Sequence, residues 1–84
     1  MMVVVLALQA LPCPQRAGAV ADSGWQAYRA NRIAVAAARF AVADSLCPGV
    51  PEIQIGLGFV ALRRDRIEDA AARFSAALRA DSLN

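Results

Sequence analysis

Histidine is missing from these 84 residues, and with it go the commonest general base, the Ser-His and Cys-His nucleophile pairs and the commonest zinc ligand. Lysine is missing as well: all nine basic residues are arginine, set against seven acids. A formal charge of +2, with no polybasic run and no acidic tail, leaves no footprint of a nucleic-acid arm. Cysteine occurs only at positions 13 and 47, too few and too far apart to make a zinc set without histidine. These absences predict a non-catalytic chain, not an enzyme, with no metal, no cofactor and no nucleic-acid partner. The length allows at most one small domain, because natural domains mostly run to about 100–150 residues.

What is present divides into a leader and a repeat. Met1 to Leu11 carries one polar side chain, Gln9, too short a run for a membrane span of about 20 apolar residues but as long as the apolar region of a signal peptide. Ala19-Val20-Ala21 follows as an A-x-A cleavage pattern, although no arginine precedes the apolar run. The pattern predicts residues 1–21 as a signal-like leader, an extracytoplasmic (periplasmic or secreted) location if it is cleaved and a cytoplasmic one otherwise, and no integral membrane span in the mature chain. The rival readings are a buried N-terminal helix and an artefactual upstream extension. Acylation at Cys13 is disfavoured, because Ala10-Leu11-Pro12 lacks the preceding leucine and small residue that a lipoprotein site needs. With cleavage after Ala21 only Cys47 would remain, and it is expected to pack as a small apolar group, with an intermolecular disulfide as the alternative.

Slid against itself by 34 positions, the chain matches without a gap. Gly24 falls on Gly58, Arg29 on Arg63, Arg32 on Arg66, Ile33 on Ile67, Ala36-Ala37-Ala38-Arg39-Phe40 on Ala70-Ala71-Ala72-Arg73-Phe74, and Ala43 on Ala77. Trp25/Phe59 and Asn31/Asp65 add conservative pairs. The segments 22–50 and 51–84 are therefore expected to be two copies of one unit.

The second half of each copy has the period of an amphipathic helix. Ile67, Ala70, Ala71, Phe74, Ala77 and Leu78 form one apolar stripe, repeated by Ile33, Ala36, Ala37, Phe40 and Ala43. The helices are expected over about 32–45 and 66–79, with Asp65 and Glu68 as a capping box and Asn31 as the earlier N-cap. Phe40 and Phe74 are expected to be buried. The first half of copy two is ambiguous, since Ile53, Ile55, Leu57 and Phe59 alternate with Glu52, Gln54, Gly56 and Gly58 as in a strand. A helix is expected instead, because Pro51 suits a first helical turn, Val60 to Arg64 continues without a breaker, and copy one shows no such alternation. A close helix crossing would account for Gly56 and Gly58.

A 34-residue unit of two helices resembles the tetratricopeptide repeat over residues 20–84. The small first-helix residue matches Gly24 and Gly58, the second-helix alanine Ala36 and Ala70, the aromatic Phe40 and Phe74, the later alanine Ala43 and Ala77, and the closing proline Pro48. The family's tryptophan, tyrosine and second proline are replaced by Val20 and Gln54, by Ala27 and Ala61, and by Ser82. The resemblance implies an all-α fold of two tandem helix-turn-helix units, the start of an α-solenoid. It also implies a concave face that binds a protein or peptide segment.

Carried over by position, that face consists of Trp25, Tyr28 and Arg29 with Phe59, Leu62 and Arg63. Aromatic and arginine side chains are favoured interface anchors, while Phe59 and Leu62 could equally be stacking residues under a neighbouring unit. The alternative function is the N-terminal repeat part of a larger enzyme or envelope assembly factor that recruits its substrate. Because such units bury their stripes on neighbours, two units alone are expected to be marginally stable. The second lacks a polar capping helix, so the chain is expected to need further repeats, self-association through that unit, or a partner.

Overall fold

Proline stands in the opening turn of two of the four helices in the computed structural model, which describes residues 11–82. Helix α1 spans Cys13–Arg29, α2 Ile33–Leu46, α3 Pro51–Arg63 and α4 Ile67–Ser82. The fold is all-α, with no strand among the described residues. The ambiguous stretch 52–60 lies wholly in α3, because helical winding lets Ile53 and Gln54 both turn inward while Ile55 and Phe59 face out. Among the described residues no helix is long and apolar enough to cross a membrane.

The turns after α1 and α3 are copies of one another. Arg32 N–H donates to the Ala27 carbonyl at 2.8 Å and Asn31 N–H to the Tyr28 carbonyl at 3.0 Å; Arg66 and Asp65 repeat both bonds to Ala61 and Leu62 at the same lengths. This is a Schellman closure, which needs a left-handed residue just past the helix. Asn31 at φ 61° and Asp65 at φ 60° provide it. The two residues therefore close the preceding helices and do not cap the following ones as expected; Arg32 occupies the N-cap of α2 without a side-chain cap bond. Helices α2 and α4 begin one residue later than expected and run on to Leu46 and Ser82. The α2–α3 turn is tighter at Gly49, with φ 84°, a conformation that favours glycine.

Helix α1 packs on α2 and α3 on α4, and α3 also lies against both α2 and α1. The core is made of small side chains, Ala17, Ala21, Ala27, Ala36, Ala43, Cys47 and Val60, around the fully buried Phe40 and Ile53. Phe40 fits between two glycines: a Cβ on Gly24 would sit 3.0 Å from its ring, and one on Gly56 only 2.6 Å. Phe74 lies still closer to Gly58, so the glycines of α3 are the seats of both phenylalanines. Phe74 itself is half-buried and not fully buried as expected, since among the described residues no second helix covers its outer side as α3 covers Phe40.

Residues 1–10 of the expected leader lie outside the described residues. Residues 13–21, also assigned to it, form the first turns of α1, and Ala17 at 0% and Ala21 at 6% exposure belong to the core. Cys47 is likewise not a solitary packing residue. It is bonded to Cys13, with the Cα atoms 5.2 Å apart, tying the start of α1 to the end of α2.

Candidate functional site

Helical spacing aligns Trp25 and Tyr28 on α1 and Phe59 and Arg63 on α3, and the packing of α3 against α1 brings the four together. The Trp25 ring lies 5.6 Å from Tyr28 and 6.1 Å from Phe59, and Tyr28 lies 6.3 Å from Phe59, all edge-on. Trp25 also meets the buried Phe40 at 5.0 Å, while Phe59 meets Phe74 at 5.4 Å. Edge-to-face pairs at these distances set the positive rim of one ring against the negative face of the next. The result is a continuous aromatic line, Phe40–Trp25–Phe59–Phe74, across both helix pairs.

Arginine is fixed beside this line, on Tyr28. The Arg63 guanidinium sits 5.4 Å from the Tyr28 ring centre, within cation–π range, and donates to Asn31 Oδ1. The Asn31 backbone that closes α1 thus also presents the amide that orients Arg63. Five donors leave this guanidinium able to take a further acceptor. Trp25 and Tyr28 are half-buried, whereas Phe59 at 39% and Leu62 at 42% are exposed. Arg29, in the last turn of α1, is exposed and stands outside the ring cluster.

Two features escaped the sequence reading. On the other side of α3, Gln54 is 4% exposed and joins three helices. Its Nε2 donates to Asp44 Oδ1 of α2 at 2.8 Å, and its Oε1 accepts from Arg73 Nη1 of α4 at 3.0 Å. Arg73 also stands 3.7 Å from Asp44 Oδ2. Both ends of the buried amide are satisfied, as burial requires. Sequence spacing holds no signal for this joint, because its members come from three helices.

The disulfide did leave a signal. Cys13-Pro14 and Cys47-Pro48 are themselves 34 positions apart, so the self-match continues upstream into the stretch assigned to the leader.

No family model, no curated protein and no solved structure matches the chain. Its class therefore rests on its own geometry, a repeat-like all-α fold bearing a partly exposed face of aromatic side chains and Arg63.

Proposed function

We propose that this chain is a non-catalytic interaction module of tetratricopeptide-repeat type, whose α1–α3 face binds an extended protein or peptide segment. The observation that carries this reading is the gathering of Trp25, Tyr28 and Phe59 into one face with Arg63 held beside it by Tyr28 and Asn31. Large aromatic surfaces contribute area at low entropic cost, and a positioned guanidinium can grip a carboxylate at two points. The favoured ligand is a segment with apolar side chains next to an acidic group.

The Cys13–Cys47 pair supports an extracytoplasmic location, since structural disulfides persist in oxidising compartments. A leader that ends ahead of Cys13 leaves α1 whole.

Trp25 is the sole tryptophan and reports directly on the face. A library of short peptides carrying aromatic and acidic residues should shift its emission with saturable binding. Phe59→Ala and Arg63→Ala should each weaken that binding by about tenfold or more. Arg39→Ala, at an exposed position of α2, should leave it unchanged. Equal binding by all three variants, or no shift with any peptide, would remove the proposal.

A further inference from the structure

The two Schellman turns share a backbone and differ in one side chain. Asn31 closes α1 and Asp65 closes α3, at φ 61° and 60° and with the same pair of backbone hydrogen bonds. Both residue types visit this left-handed region, so the backbone alone does not decide between amide and acid. The neighbour distinguishes the two positions. The Asp65 side chain has no hydrogen-bond or ion-pair partner among the described residues, whereas Asn31 Oδ1 accepts from Nη2 of Arg63, brought alongside by α3.

Arg63 is held on two sides, and neither contact offsets its positive charge. The Tyr28 ring, 5.4 Å from the guanidinium, offers a quadrupole, and the Asn31 amide offers a dipole. Asp65, two positions on, makes no ion pair with it. The remaining N–H groups of Arg63 have no acceptor among the described residues. An aspartate at position 31 would orient the same guanidinium through a charge-assisted pair. An incoming carboxylate would then meet like charge and an arginine edge already taken, the kind of unfavourable element by which a surface rejects a ligand.

We infer that Asn31 is the specificity-determining residue of the α1–α3 face. As an amide it orients Arg63 without offsetting its charge, and the face thereby selects a carboxylate over an uncharged amide of the same shape. Asn31 is a positioning residue, acting on the ligand through Arg63. This role rests on the peptide-binding reading of the face and adds to it the group that Arg63 takes, a carboxylate from a side chain or from a chain end.

Trp25 emission tests it in the full 84-residue chain and in Asn31→Asp, Asn31→Gly and Arg63→Ala. The probes are the tightest acidic peptide of the library and its counterpart with each acid replaced by the amide. Each is made with a blocked and with a free C-terminus, to tell a side-chain carboxylate from a terminal one. Wild type should prefer the acid by about tenfold or more. Asn31→Asp should bring acid and amide within about threefold of each other, while melting within about 5 °C of wild type. Asn31→Gly, which suits the left-handed backbone best, should bind the acid about three- to tenfold more weakly, as Arg63 loses its orienting acceptor. A merely structural role would leave that binding unmoved or improved. An Asn31→Asp chain that keeps the wild-type preference, or that fails to fold, would overturn the inference, as would undiminished binding by Asn31→Gly. In those cases loss of the preference in Arg63→Ala would leave the peptide reading standing. If no peptide shifts Trp25 emission, that reading fails and the role of Asn31 falls with it.

Discussion

Glycine and phenylalanine decide the packing at the residue scale, and propensity and sterics oppose each other there. An alanine in place of glycine inside a helix is worth about 1 kcal/mol. At Gly18, where an added Cβ would meet nothing within 4 Å, Gly18→Ala should raise stability by about 0.5–1 kcal/mol. At Gly56 the same change drives a methyl into the fully buried Phe40 ring. Overpacking of this kind costs about 1–3 kcal/mol, so Gly56→Ala should lower stability despite its better propensity. Gly58→Ala should be milder, because Phe74 is half-buried and can give way toward solvent. Urea melts of the three variants check the order, and a Gly56→Ala protein as stable as Gly18→Ala would mean that Phe40 is not wedged between α1 and α3.

The paired Schellman turns belong to the element scale. Asn31 and Asp65 hold the same left-handed position in their turns, where a side chain with a Cβ is disfavoured and glycine is not. Asn31 has a compensating role, since its Oδ1 accepts from Arg63. Asp65 is exposed. Asp65→Gly should therefore raise the melting midpoint, whereas Asp65→Val should destabilise by about 1 kcal/mol or more. If the residue capped α4 through its side chain instead, Asp65→Gly would lower the midpoint, so thermal melts separate the two geometries. This distinction was not legible in the sequence, because asparagine and aspartate serve both as N-caps and as left-handed closers.

Seen as a whole, the molecule is a slab 43 by 33 by 16 Å, only two helix layers thick, with alanine the commonest core residue. Such a layer buries little apolar area per residue, and short chains of this kind usually need a staple. The disulfide supplies it. Closing a loop of 34 residues is worth about 3–4 kcal/mol in the chain-entropy account. Reduction, or Cys13→Ser and Cys47→Ser together, should lower the unfolding free energy by about that amount; denaturant titrations with and without reductant measure it. Unchanged stability on reduction would mean that the start of α1 contributes little to the fold.

The sequence by itself determined the period of 34, the helical identity of both copies and the positions of the small residues, because these depend on local spacing along one chain. It also placed Trp25, Tyr28, Phe59 and Arg63 at helical positions that can share a face. Only the tertiary structure decided which of them meet: α3 against α1 sets Phe59 on Trp25 and Arg63 on Tyr28. Identical stripe positions likewise diverge for a tertiary reason. Phe40 has Gly24 and Gly56 on its two sides, and Phe74 has Gly58 on one. The satisfaction of Gln54 follows from three helices lying side by side, which local periodicity cannot encode, and the Cys13–Cys47 bond, though its 34-residue spacing is in the sequence, needed the close of α2 to meet the start of α1.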